Sequence, residues 1–141
     1  MEKTWPKTVV DFEDFLRGIG MACQLRAEQS VFGNKMLQYA DAIVGVRIVS
    51  DRGVWFVEIA DIASRPDEWY DAAILRDLLL GPGEDVLSLP TQIEFVEVKW
   101  QDIVSQFGAG LREETHARLA VLRKERAKRR FPGLDLGNSP T

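Results

Sequence analysis

Histidine and cysteine are almost absent from this chain, which has one of each, His116 and Cys23. A single cysteine excludes an intrachain disulfide and a cysteine-based zinc site. A single histidine excludes a metal site with three histidines, and it excludes a Ser-His-Asp triad accompanied by a second histidine. Carboxylates are therefore the remaining basis for catalysis. We predict a buried, inert thiol for Cys23. We predict a solvated side chain for His116, because its segment is highly charged.

Long apolar runs are also missing. Uninterrupted apolar stretches are only a few residues long, too short to cross a bilayer. The opening residues, Met-Glu-Lys-Thr-Trp-Pro, are not followed by an apolar segment of the signal-peptide type. We therefore expect a cytoplasmic protein with no membrane segment. The 141 residues, 45% of them apolar, suffice for one domain with a hydrophobic core.

Motifs for nucleotide, metal or acid/base chemistry are lacking as well. The segment Gly18-Ile19-Gly20 lacks the third glycine of a dinucleotide-binding turn, follows a predicted helix, and is not followed by a phosphate-loop lysine. Carboxylates are frequent between Asp51 and Asp71, but their spacing singles out no acid/base pair. We predict that the protein is not an enzyme and has no cofactor and no metal ligands.

The strongest pattern that is present is a β-hairpin over residues 43–60. Two runs in which apolar residues alternate with period two are joined by Asp51-Arg52-Gly53, which is typical of a tight turn. Residues 24–31 and 35–39 predict two further strands, separated by turn residues at Phe32-Gly33-Asn34. Short connections favour antiparallel neighbours, so these four strands predict a meander.

Apolar residues with helical spacing lie on both sides of this meander. One predicted helix precedes the sheet and three follow it. The predicted helices are residues 9–19 with Thr8 as the cap, a helix that opens near Ser64 to Pro66 and stops at Gly81, a helix after the capping box Thr91 to Glu94 that runs to Phe107, and residues 111–130. The sequence therefore predicts an α+β fold, a four-stranded antiparallel meander sheet flanked by an N-terminal helix and two to three C-terminal helices.

Charge divides the chain into two parts. Residues 1–110 contain 10 Lys or Arg and 18 Asp or Glu, whereas residues 111–141 contain 8 and 4. The body is therefore acidic and the C-terminal part basic, a pattern that can mark separate interaction surfaces. We predict a single α+β domain over 1–110, a basic peripheral helix over 111–131 with a thin apolar stripe, and a disordered tail over 132–141.

A family resemblance lies in the strand and turn residues. The residues that carry it are Phe32-Gly33-Asn34, Leu37 and Tyr39, the run Val46-Arg47-Ile48-Val49-Ser50-Asp51-Arg52-Gly53-Val54-Trp55-Phe56-Val57-Glu58, and Trp69, Asp71, Leu75-Arg76, Leu79 and Gly81. Between Phe12 and Phe107 the chain resembles a group of small bacterial proteins that is similar to immunity proteins of polymorphic toxin systems. These are mostly core and turn positions, so the resemblance bears on fold more than on activity, and it brings no catalytic residues.

The acidic body leads to the main functional hypothesis, a non-enzymatic protein that binds another protein and acts as a toxin-neutralising immunity protein. A compact acidic surface can dock on a basic nucleic-acid-binding site of a toxin. The alternative is a regulator that binds a small ligand or nucleic acid through the sheet face or the basic helix, with nucleic acid the less favoured partner. An open sheet edge, or the stripe from Leu111 to Leu122, also allows a homodimer. The predicted partner-binding acids are Asp67, Glu68, Asp71, Glu84 and Asp85, and the possible basic contacts are Arg123, Lys124, Arg126, Lys128, Arg129 and Arg130.

Overall fold

A computed structural model describes residues 5–29, 34–84 and 86–130. The predicted turn at Phe32-Gly33 and the predicted tail over 132–141 lie outside these ranges. In chain order the elements are α1 (Lys7–Gly18), β1 (Ala22–Gln29), β2 (Asn34–Ala40), β3 (Val44–Asp51), β4 (Val54–Asp61), β5 (Trp69–Asp71), α2 (Ala72–Leu80), α3 (Leu89–Val98), α4 (Trp100–Gln106) and α5 (Arg112–Arg130).

The predicted hairpin is confirmed as β3 and β4, with Ile48 paired to Val57 and Val46 to Ile59. Its two-residue turn has positive φ at both positions, 54° at Arg52 and 84° at Gly53. Two positive φ angles define the hairpin turn whose twist matches that of the strands, and the glycine at position 53 adopts such an angle at no steric cost. The alternating residues are fully buried on one side of the sheet, which we call the helix face.

The predicted α+β class with an antiparallel sheet is confirmed, but the sheet has five strands in the order β1-β2-β3-β4-β5. The prediction of four strands was wrong because Trp69 to Asp71 extend the sheet and do not open a helix. Tyr70 pairs with Ile59 and Trp69 with Ala60. The alternation places Tyr70 in the core and Trp69 on the other face, and α2 begins only at Ala72.

The helices pack on the helix face of the sheet around Phe12, Leu16, Val96 and Ile103.

Two details of the predicted helix starts were wrong. Pro6 occupies the cap position of α1, so Thr8 lies inside that helix, and Pro fits there because the first backbone N–H groups of a helix have no intrahelical partner. The residue that caps α3 is Ser88, whose hydroxyl accepts from the Thr91 N–H at 3.3 Å. Lys99 then breaks the predicted single helix into α3 and α4.

The last helix, α5, packs against α2 and places Leu119 in the core with no exposed surface. His116 is 3% exposed, so the prediction of a solvated histidine was wrong. It was wrong because His116 lies on the buried side of α5, where its ring nitrogens contact the side chains of Asp61 and Tyr70. The division of the chain at residue 110 stays a prediction. Among the described residues, no helix combines the length and the hydropathy that crossing a membrane requires.

Candidate binding surface

The face of the sheet opposite the helices carries a row of four apolar side chains, Ala27, Met36, Val49 and Phe56. Strand register aligns them, since Ala27 pairs with Met36, Met36 with Val49, and Val49 with Phe56. We call this row the open strip and the face that carries it the open face. Met36, Val49 and Phe56 are half-buried and Ala27 is exposed, and none of the four belongs to the hydrophobic core.

Apolar surface extends beyond the open strip on two strands. Leu25 on β1 is 43% exposed and Val54 on β4 is 52% exposed. A shallow cavity of about 350 Å³ lies at the β1 end of the strip, where Ala27, Met36 and Val49 contribute to its lining. Contiguous exposed apolar surface of this kind is typical of interaction sites, whereas scattered single apolar residues are not.

A polar row borders the open strip. Arg47 and Glu58 are cross-strand partners, and their side chains form an ion pair with Nη2 and Oε1 2.7 Å apart. The Arg47 guanidinium also lies 4.3 Å from the centroid of the Trp69 ring. At the far end of the same face, Ile62 and Trp69 cover Gly45 so closely that a Cβ there would lie 2.7 Å from Ile62 Cγ1. Among the residues that the structure describes, side chains therefore close the open face at one end and leave the strip uncovered.

The two edges of the sheet differ in protection. On the β4 and β5 side, Gln92 of α3 accepts from the Val57 N–H at 2.7 Å and donates to the Trp55 carbonyl at 3.1 Å. Arg123 of α5 donates to the Trp69 carbonyl at 2.7 Å. Both side chains satisfy backbone groups that an added strand would otherwise engage.

On the other side, β1 is the edge, and every residue from Ala22 to Glu28 is exposed. Cys23 lies in this strand and is exposed, so the predicted buried thiol was wrong. The reason is that an edge strand with little cover on either face leaves even an apolar side chain in contact with solvent.

His116 belongs to a buried polar chain between α5 and the sheet. Its Nε2 lies 2.9 Å from Asp61 Oδ2, and its Nδ1 lies 2.9 Å from the Tyr70 hydroxyl, which donates to Glu68 Oε1 at 2.8 Å. Both ring nitrogens of His116 therefore have a polar partner within hydrogen-bond distance. The Arg112 guanidinium is also 2.9 Å from Asp61 Oδ2.

Asp61, His116 and Tyr70 in this hydrogen-bonded series are not accessible to a substrate. Asp61 is fully buried, and His116 and Tyr70 are at most 3% exposed. Burial and the hydrogen bond to Glu68 raise the pKa of Tyr70 to about 12. The arrangement fastens α5 to β4 and β5 and offers no open position for a reacting group.

A second buried carboxylate, Glu13, ties α1 to the sheet. It accepts from the Tyr39 hydroxyl at 2.6 Å and from Arg26 at 2.5 Å. Burial, followed by this hydrogen bond, raises the pKa of Tyr39 to about 12. Within the described residues, no three His, Cys, Asp or Glu side chains are grouped in a way that could hold a metal ion.

The acids that the sequence predicts for partner binding do not all lie together. Asp67, Glu68 and Asp71 precede α2, with Asp67 and Glu68 exposed and Asp71 half-buried. Glu84 is exposed but follows the end of α2, about 13 Å along the helix axis. Asp85 lies outside the described residues. Of these acids, Asp71 lies on the open face, because it pairs with Glu58, whereas Glu68 accepts from the hydroxyl of the core residue Tyr70.

Three of the six residues predicted as basic contacts, all of them arginines of α5, contact residues outside α5. Arg123 lies 4.6 Å from the centroid of the Tyr70 ring, and Arg126 and Arg129 lie 3.8 and 3.6 Å from the buried carboxylate of Asp77. Lys124 and Lys128 are exposed, and Arg130 is the last residue of α5. The basic segment thus contributes to the packing of α5.

The open strip itself escaped the sequence interpretation, which noted alternation but could not tell which face the helices would cover. The signal was present, because Val49 and Phe56 occupy the second face of the hairpin where polar residues are usual. No protein-family model matches the chain, and no curated protein and no solved structure is found to be similar to it. The resemblance to immunity proteins stays a prediction.

Proposed function

We propose that this protein is a non-enzymatic binding protein whose open face docks on another protein. The observation that carries the proposal is the open strip, a row of four apolar side chains that lies outside the core and crosses four strands. A flat sheet surface with an apolar centre and a polar border has the anatomy of a protein interface. Methionine and phenylalanine are among the residues enriched at such interfaces.

The polar border supports the same assignment. The Arg47 and Glu58 side chains already satisfy each other, so a partner that covers them leaves no charge unpaired. The cavity at the β1 end of the strip is shallow, which suits a side chain of a protein partner better than an enclosed small ligand.

We further propose that the partner is a toxin that the protein neutralises. The acidic body, with 18 Asp or Glu against 10 Lys or Arg over residues 1–110, would attract a basic nucleic-acid-binding site and raise the encounter rate. Asp71 lies on the open face, and with the exposed Asp67 and Glu68 a few residues before it in the chain it would contribute an acidic rim. Nucleic acid is a poorer candidate partner, because Arg123, Arg126 and Arg129 contact the body of the protein.

The test compares two valine substitutions. The purified full chain captures its partner from a lysate of its own source cells, and the identified partner is then purified and titrated against variants by calorimetry. Val49→Lys places a charge in the open strip, whereas Val98→Lys makes the same change at a 70% exposed valine of α3. We expect Val49→Lys to weaken binding by at least about 10-fold and Val98→Lys to leave it unchanged.

Two results would contradict the proposals, and they are distinguishable. Equal affinity of the Val49→Lys and Val98→Lys variants would exclude the open face as the binding surface. A partner that binds the open face but has no toxic activity, or whose activity is unaffected by stoichiometric complex formation, would exclude the immunity role and leave the binding role intact.

A further inference from the structure

Within the described residues, the β1 edge is the less protected side of the sheet. Residues Ala22 to Glu28 are all exposed, whereas β3, which has neighbours on both sides, has one exposed residue, Asp51. The opposite edge has side chains of Gln92 and Arg123 on its backbone groups. An edge strand that has a neighbouring strand on one side alone is a template for another strand. Among the described residues, the side-chain hydrogen bonds to the β1 backbone come from β1 itself, from Gln24 Nε2 to the Ala22 carbonyl at 3.4 Å and from Cys23 Sγ to the Leu25 carbonyl at 3.7 Å, so this edge is the less protected one.

We propose that β1 pairs antiparallel with β1 of a second copy, about a twofold axis at Ala27, to form one ten-stranded sheet. The proposal does not depend on the proposed function, because it concerns the edge of the sheet and not its open face. A peptide segment of another protein could also add to this edge, but the sequence of β1 favours a second copy for the following reasons.

Symmetry restricts the possible registers. Antiparallel strands related by a twofold axis must place one residue opposite its own copy, since directly opposed side chains lie on the same face. A β-bulge separates Cys23 from Leu25, so regular pairing is available from Leu25 onward. An axis at Arg26 or at Glu28 would oppose like charges, which is destabilising. An axis at Leu25 would bring the bulge into the pairing.

An axis at Ala27 has charge complementarity. It places Arg26 opposite Glu28 of the second copy, and it does so twice because of the symmetry. Within one copy, Arg26 contacts Glu13 at 2.5 Å and Glu28 lies 3.2 Å from Lys35, so the new pairs would extend existing ion pairs. The small Ala27 side chain then meets its own copy at the centre.

The same register makes the open strip continuous. Ala27 is the last residue of the strip on β1, and it would lie beside Ala27 of the second copy. The two strips would then form a single apolar row across eight strands. Both copies keep the same face toward the helices, because a twofold axis perpendicular to the sheet preserves its faces. A dimer of this kind would present twice the apolar surface of one chain.

The test uses the exposed cysteine of the chain as its own control. Ala27→Cys in a Cys23→Ser background is oxidised and examined for covalent dimers, beside the parent chain that retains Cys23. We expect the Ala27→Cys variant to cross-link, because directly opposed Cβ atoms lie about 5 Å apart. The parent should stay uncross-linked, since its two Cys23 residues would be about 26 Å apart along the strands.

Sedimentation of the unmodified chain provides a second measurement. A five-residue strand pairing is small beside a standard interface, so we expect a reversible dimer within about 5 to 500 µM. Glu28→Arg, which opposes Arg26 of the other copy, should weaken the dimer about 10-fold or more, whereas Glu84→Arg, a charge change in an exposed loop, should not.

Three outcomes would overturn the proposal. The first is a monomer throughout that concentration range. The second is cross-linking of Leu25→Cys or of native Cys23 in preference to Ala27→Cys, since it would establish another register. The third is a dimer that persists in Ala27→Pro when circular dichroism shows a folded variant, because proline in β1 would prevent regular strand pairing.

Discussion

The side-chain amide of Gln92 occupies the place of a strand beside Val57. Its Oε1 accepts from the Val57 N–H at 2.7 Å, and its nitrogen donates to the Trp55 carbonyl at 3.1 Å and to the Leu87 carbonyl at 2.9 Å. β5 pairs with only three residues of β4, so the Gln92 amide continues the hydrogen bonding where β5 has ended. A helix residue thereby both docks α3 and closes a sheet edge.

Replacement of Gln92 by Leu should destabilise the protein. Leucine preserves the bulk of the side chain but leaves the Val57 N–H and two carbonyls without their partner, at a cost of about 2 kcal/mol in the free energy of unfolding. Urea denaturation measures this change. Gln101→Leu is the matched control, because Gln101 is exposed on α4, and it should change stability by less than about 0.5 kcal/mol. Equal effects of the two variants would show that the edge contact contributes nothing.

Asp61→Asn should loosen α5 from the sheet. Asp61 is fully buried, and its Oδ2 lies 2.9 Å from both His116 Nε2 and Nε of the half-buried Arg112, so loss of its charge weakens its contacts to both side chains. We expect a loss of about 3 kcal/mol in stability and faster amide hydrogen exchange in α5 than in the sheet. Asp67→Asn, at an exposed position, is the control. Uniform exchange rates in α5 and sheet would contradict a fastening role for Asp61.

Local patterns predicted the sheet well because its causes are local. The alternation of apolar residues and the turn at Arg52 and Gly53 determine the β3–β4 hairpin without reference to the rest of the chain. Trp69 and Tyr70 show the limit of this reasoning. Three residues are too few for a periodic signal, and they form a strand because the edge of β4 is there to pair with.

The polar interior could not be predicted for a different reason. His116, Asp61 and Glu13 look like surface residues in sequence, and each is buried only because a partner from a distant segment meets it. The open strip poses the reverse difficulty, since Val49 and Phe56 look like core residues until the helices are seen to cover the other face. Burial at such positions depends on tertiary pairing, which single-sequence periodicity does not contain.

The two tyrosines of the chain should resist ionisation until the protein unfolds. Tyr39 and Tyr70 both have a pKa of about 12 in the folded state, chiefly because of burial, against 10 in the unfolded chain. Between these values the unfolded state releases phenolic protons and the folded state does not. The contribution of the two tyrosines to the free energy of unfolding is therefore fully present below pH 10. It declines above pH 10, by up to about 1.4 kcal/mol per pH unit for each tyrosine.

The near-ultraviolet absorbance of tyrosinate tests this directly, because the chain contains no other tyrosine. We expect little absorbance change at pH 10 to 11 and a cooperative rise that coincides with loss of circular dichroism. The same titration in strong denaturant provides the reference, with a midpoint near 10. A folded protein in which both tyrosines titrate near pH 10 would contradict the buried environments described for them.

Replacement of Glu97 by Gln should stabilise the protein at neutral pH. Burial raises the pKa of Glu97 above its usual value, and the nearby carboxylates of Asp11 and Glu94 raise it further. The unfolded chain therefore loses this proton at lower pH than the folded protein does, so ionisation of Glu97 costs stability as pH rises through and beyond the normal glutamate range.

The gain in Glu97→Gln should reach at most about 1 kcal/mol near pH 7, because the site is only partly buried. It should disappear below about pH 4, where glutamate is protonated in both states. Urea unfolding of the parent and of Glu97→Gln across this range measures the difference. Glu84→Gln, at an exposed loop position, should show no such pH-dependent gain. A Glu97→Gln variant that is less stable than the parent at pH 7 would mean that the ionised carboxylate has a favourable partner, which is the opposite of the repulsion inferred from Asp11 and Glu94.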